Sequence, residues 1–141
     1  EALVQVLEGL DYSEIGVHDW YVYALARSIG LTWVIGEEPT LEYRQHGGNV
    51  QGVNSGSGAR DARMAKLRNG FYRNQFILTA RTAQKVGTFD DRRARQLCAI
   101  LRELEGQGVV SRLCFALRWR QIRRDRMEGL KLAAARVLGV W

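Results

Sequence analysis

Apolar residues recur at two different periods along this chain, and the switch between them predicts most of its elements. Residues 2–7, Ala-Leu-Val-Gln-Val-Leu, suit a short helix that ends near Gly9. A loop over residues 10–17 carries the acids Asp11 and Glu14. Over residues 19–29 the spacing of Val22, Leu25, Ala26 and Ile29 predicts a helix with one apolar face, and Gly30 supplies a left-handed stop. Residues 31–35, Leu-Thr-Trp-Val-Ile, are β-branched and aromatic and predict a strand, which Gly36 to Pro39 breaks. Residues 41–46 then alternate, so Glu42, Arg44 and His46 share one polar face. From Ala59 the pattern returns to helical, with segments 59–86, 90–105 and 109–139 separated by Gly87 and by Gly106-Gln107-Gly108. The expectation is a mostly α fold with one short β pair, followed by a helical bundle.

Composition narrows this little. At 141 residues the chain suits one domain with a real core, and 46% hydrophobic with 26% charged residues describes a globular protein. Charge changes the picture more. Residues 1–50 hold eight acids and two bases, whereas residues 51–141 hold seven acids and nineteen bases, so the net +6 belongs to the second half. Cys98 and Cys114 lack metal-ligand spacing and read as two reduced, packed thiols of a cytosolic protein. No apolar run reaches membrane-spanning length, and no secretory signal is visible. The chain opens on Glu1 rather than Met, as expected of a piece of something longer.

Two stretches carry candidate chemistry. The first is His18-Asp19-Trp20-Tyr21 at the mouth of a helix. An Asp ahead of an amphipathic helix is most often its N-cap, and spacing alone favours that role. A carboxylate fixed there is also well oriented to act as a general base. His18 and Trp20 answer no capping need; an imidazole and an indole around a carboxylate suit the wall of a sugar site. The second stretch is Tyr43-Arg44-Gln45-His46-Gly47-Gly48-Asn49. It reads as a strand end and turn, or as an Arg44 and His46 pair facing an anion or a metal that holds one. The glycine-rich loop over 47–58 contains neither a dinucleotide fingerprint nor a Walker phosphate loop.

Read together, HDW at a helix start and then EEPTLEYRQHGGNVQGVN resemble the end of the catalytic domain in bacterial family 2 nucleotide-sugar glycosyltransferases. The likeness is strongest to rhamnosyltransferase-like members, whose sequences commonly read HDWW, EPL and YRQHGNNVVG. It covers residues 15–54 closely and the basic tail more loosely. The resemblance implies a GT-A-type α/β enzyme that moves a sugar, with inversion, from a nucleoside diphosphate donor to a glycan or lipid-linked acceptor. It implies Asp19 as catalytic base, and Trp20, His18, Arg44, His46 and Asn49 as substrate-binding residues, with His46 also the candidate metal contact. It further implies a Mg or Mn ion in the full-length enzyme, none of it necessarily bound by this part alone. The family's acidic Asp-x-Asp motif does not occur here, so residues 1–58 are expected to be the acceptor-side end of the catalytic domain and 59–141 a basic helical region. Such a piece is expected to be inactive by itself, and the apolar surface it exposes predicts self-association.

Between Arg112 and Arg136 lie eight Lys or Arg and two acids, interleaved with apolar residues. The plainest reading is an amphipathic surface with solvated arginines. A second is a basic helical module that docks on an anionic membrane, with Phe115, Trp119 and Trp141 entering the interface. Cell-surface polysaccharide synthesis on lipid-linked acceptors fits a peripheral location on the inner face of the cell membrane. Nucleic acid ranks third, because no recognition motif accompanies the basic stripe.

Overall fold

A computed structural model describes residues 1–34, 36, 57–122 and 125–141. Among them the chain forms helices α1 (Ala2–Glu8), α2 (His18–Ser28), α3 (Ser57–Arg68), α4 (Phe71–Val86), α5 (Asp91–Glu105), α6 (Val109–Leu117), α7 (Trp119–Ile122) and α8 (Arg126–Val137). Helix α4 is the spine. One side of it, with Leu78, Ala83 and Val86, packs against Ile15, Tyr21 and Leu25 and against Leu3 and Leu7 of α1. Its other side, with Tyr72, Phe76 and Ile77, packs against Leu104, Phe115 and Trp141 and against Leu132 of α8. Helix α5 joins both clusters through Leu97 on one side and Ile100 on the other.

Helix α2 ends as its sequence predicts. The Gly30 N–H donates to Arg27 O and the Leu31 N–H to Ala26 O, with Gly30 at φ +83°, which is a Schellman stop. Its buried face differs from expectation: Tyr21, Leu25, Ala26 and Ser28 are buried, while Val22 and Ile29 are only partly so. Ser28 is tolerated inside because its Oγ donates to Leu25 O and its own carbonyl accepts the Thr88 N–H. The expected helix over 59–86 is two helices, broken at Asn69-Gly70, where Gly70 takes φ +78°. The expected helix over 109–139 divides into α6, α7 and α8, and Asp125 caps the last by accepting from the Glu128 N–H at 2.8 Å.

The short β pair is not supported: no strand occurs among the described residues. Residues 31–34 run irregularly, and the backbone of Leu31 is already engaged with α2. Leu31 N–H goes to Ala26 O, and Leu31 O accepts from Arg27 Nη1 at 3.0 Å. Trp33 then packs edge-on against Tyr23, centroids 5.5 Å apart. The partner stretch 41–46 lies outside the described residues.

The basic C-terminal helices also differ from a uniformly solvated face. Arg118 pairs with Glu103 of α5 at 2.8 Å, largely screened from solvent, and Arg136 is 1% exposed. Phe115 and Trp141 are core residues at 2% and 4% exposure, so neither is available to enter a membrane interface. The apolar residues that do face outward on α6 are Val109, Val110, Leu113 and Leu117. Cys98 is half-buried and accepts from Gln84 Nε2, whereas Cys114 is exposed rather than packed.

Candidate functional site

The start of α2 is held from a distance. Gln75 of α4 is buried, and its side-chain amide spans the preceding loop: Gly16 N–H donates to its Oε1 at 2.8 Å, and its Nε2 donates to Glu14 O at 3.0 Å. Both groups of a buried amide are thereby satisfied by loop backbone that has no helical or sheet partner of its own. The loop lies tight on α4 at this point. A Cβ on Gly16 would stand 2.8 Å from Cζ of Phe71, so any larger residue here would have to displace that ring. Two residues later the chain enters α2 with His18, and Asp19 follows.

Asp19 does not act as the N-cap. Val17 occupies that place, no side chain caps the helix, and Asp19 lies in the first turn with its carboxylate at the positive end of the helix dipole. Capping therefore does not account for this acid. Asp19 is exposed and lines a cleft of about 480 Å³ together with Trp20, Tyr23, Trp33, Phe76 and Thr79. One carboxylate and one threonine hydroxyl thus stand among aromatic rings. Such a surface suits a sugar, whose C–H faces pack on rings while its hydroxyls seek polar partners.

The structure describes His18, Asp19 and Trp20 of the six site residues predicted from sequence; Arg44, His46 and Asn49 lie outside the described residues. His18 is exposed at the first position of α2 and is not among the residues lining the Asp19 cleft. Trp20 is 37% exposed and stacks on Phe76, centroids 5.3 Å apart, with Tyr72 at 5.9 Å. It forms a wall between the Asp19 cleft and a second cleft of about 420 Å³, where Leu67, Leu132 and Trp141 stand beside Arg60, Arg63 and Glu128. Tyr21, the residue that departs from the resembled HDWW pattern, faces the core at 2% exposure, so it shapes the packing of α2 rather than the cleft. Sequence reasoning missed Tyr23, Trp33, Phe76, Thr79 and Gln75. Trp33 and Tyr23 carried a faint signal as aromatics close to Asp19; the α4 residues carried none, because packing alone brings them there.

This chain is similar to the dTDP-rhamnosyl transferase RfbG of Shigella flexneri, 27% identical over 128 residues. The match covers 91% of this chain, which spans 40% of the length of that curated relative. No family model matches the sequence. No solved structure matches it either. The similarity supports a relationship to glycosyltransferases at the coarse level.

Proposed function

We propose that this chain is the acceptor-side part of an inverting, family 2, GT-A-type glycosyltransferase, with Asp19 as its catalytic base. The supporting observation is an exposed carboxylate that caps nothing and borders an aromatic-lined cleft. In the proposed reaction the Asp19 carboxylate takes the proton of an acceptor hydroxyl. The oxygen forms a bond to the anomeric carbon of the donor sugar, and the bond from that carbon to the diphosphate breaks. The nucleoside diphosphate departs with the electron pair, and attack from the opposite side inverts the anomeric centre. Trp20, Tyr23 and Trp33 offer ring surface to the acceptor, while His18, Arg44, His46 and Asn49 are assigned to substrate by resemblance. The relative's name supports a dTDP-rhamnosyl donor, and a glycan or lipid-linked acceptor at the inner membrane face completes the reading.

Enzymes of the resembled family use a divalent metal. Among the described residues no three His, Cys, Asp or Glu side chains converge. Those residues do not by themselves fit such an ion, and no step above runs through one. Residues 1–58 are read as the end of the catalytic domain and 59–141 as its basic helical extension.

The test is sugar transfer by the full-length protein from a panel of nucleotide sugars to a membrane glycolipid fraction. Transfer from dTDP-rhamnose above the other donors is the expected result, and transfer from none of them refutes the reading. A second reading, a helical module bound to an anionic membrane without catalysis, draws on the outward stripe of Val109, Leu113 and Leu117 on α6. Among the described residues no helix is long and apolar enough to cross a membrane. Sedimentation with phosphatidylglycerol vesicles that Leu113→Asp with Leu117→Asp leaves unchanged would remove this alternative.

A further inference from the structure

Four arginines converge where α3, α4, α6 and α8 meet, and among the described residues no acidic side chain answers them. Arg68, Arg73, Arg112 and Arg136, with the amides of Asn69 and Gln107, line a polar pocket of about 190 Å³ that has no Asp or Glu in its lining. The two acids at the end of α5 are engaged by other cations: Glu103 by Arg118 at 2.8 Å and Glu105 by Arg81 at 2.7 Å.

Two of these arginines stand at the unfavourable ends of their helices. Arg73 is the third residue of α4 and Arg112 the fourth of α6, and neither helix has an acid in its first turn; the one side-chain acceptor at these two starts is the neutral Asn69 amide, whose Oδ1 accepts from the Phe71 N–H at 3.0 Å. A helix N-terminus repels cations and attracts anions, so these placements oppose the local field unless an anion lies between.

Burial sharpens the conflict. Arg136 is 1% exposed, and its Nη atoms donate to the carbonyls of Glu103, Leu104, Gly106 and Trp141. Its Nε and that of Arg112 are buried with no hydrogen-bond partner. Desolvation first, then the charges of Arg73 and Arg112, hold the Arg136 guanidinium below its ordinary range. The backbone even makes room for the crowding. Gly139 takes φ +72°, and a Cβ there would stand 2.7 Å from Arg112 Nη1.

We propose that this pocket binds a phosphate group carried by a small ligand. Guanidinium forks match the oxygen geometry of phosphate, and two helix N-termini reinforce the same charge. The pocket shares no lining residue with the Asp19 cleft, so it stands independently of the proposed catalytic role. Two sources fit the chemistry. A free phosphate or diphosphate fills the pocket alone. An anionic lipid headgroup fills it too, with its chain crossing Trp141 into the neighbouring cleft, where Met64, Leu67 and Leu132 offer apolar surface beside Arg60, Arg63 and Glu128.

The test is calorimetric titration of inorganic phosphate and of pyrophosphate into the full-length protein at fixed ionic strength. Vesicles of phosphatidylcholine with and without phosphatidylglycerol form the parallel arm. Arg73→Gln and Arg112→Gln are each expected to weaken binding about tenfold or more, the worth of a charge-assisted hydrogen bond. Arg92→Gln, on the exposed face of α5, removes equal charge and is expected to change nothing. Asp19→Asn is likewise expected to leave binding intact, which separates this pocket from the catalytic proposal. Should Arg112→Gln fail to fold, Arg73→Gln alone carries the comparison. Loss confined to the phosphate arm identifies a free phosphate, and loss confined to the phosphatidylglycerol arm identifies a headgroup. Absence of binding in both arms overturns the site, as does binding that the pocket variants and the α5 control weaken alike.

Discussion

Gln75→Leu is the most informative single change to the scaffold beneath Asp19. The substitution keeps side-chain volume close to native but leaves the Gly16 N–H and the Glu14 carbonyl without the partners they have at 2.8 and 3.0 Å. A stranded buried backbone group costs about 1–3 kcal/mol. Both bonds here are only partly buried, so water recovers some of that, and a total loss of about 2 kcal/mol is expected. For a chain of this size that corresponds to a melting-temperature drop of about 6–8 °C. Gln75→Glu makes a sharper test. The new carboxylate still accepts from Gly16 but faces the Glu14 carbonyl with no proton to donate. Its folded pKa is therefore raised above the ordinary glutamate value. Stability is retained below about pH 4, where the carboxyl is protonated in both states, and falls as pH rises through the raised folded value. Urea melts across pH, with hydrogen exchange at the Gly16 amide, measure both effects. An unchanged Gly16 protection factor in Gln75→Leu, or no pH dependence specific to Gln75→Glu, would refute the reasoning. In the full-length protein Gln75→Leu should also lower kcat while leaving donor KM near its original value, since Gln75 acts on the placement of α2 and touches no substrate.

Three further outcomes follow from the same packing. Arg136→Met strands the carbonyls that the guanidinium gathers at the end of α5 but relieves a buried charge, so a net loss of about 3 kcal/mol is expected in denaturant melts. Gly16→Ala drives a methyl group toward the Phe71 ring and should cost about 1–3 kcal/mol, a cost that Phe71→Leu partly rescues. A double-mutant cycle on Arg118 and Glu103, which meet in a two-oxygen contact at 2.8 and 2.9 Å, should give a coupling near 1 kcal/mol or above, more than exposed pairs yield.

Local pattern revealed what local physics decides. Helix α2 and its stop at Gly30 were legible because apolar spacing and a left-handed glycine are properties of adjacent residues. The buried face was read one residue off, since Tyr21 and Ser28 are drawn inward by partners on and just beyond α4 that no window around α2 contains. The break at Asn69-Gly70 was overlooked although that dipeptide is a turn signal, because helix-forming residues continue on both sides of it. The strand expected over residues 31–35 has the right propensity, yet residues 31–34 form no strand, and both backbone groups of Leu31 are taken up by α2. At the site, Asp19 was recognisable beside His18 and Trp20. Phe76, Thr79 and Gln75 were not, because more than fifty residues of chain separate them from it and only the packing of α4 on α2 unites them. The arginine pocket was hidden for the same reason: its members read individually as surface charge, and only the meeting of four helices makes them neighbours.

The central claim is that Asp19 removes the acceptor's proton. Its most direct test is the single-turnover transfer rate of Asp19→Asn in the full-length protein, with donor affinity measured on the same preparation. The account predicts a rate lower by about 10²–10⁴-fold, the usual worth of a general base, with donor affinity within about twofold of the unsubstituted protein. Transfer at an undiminished rate would contradict it.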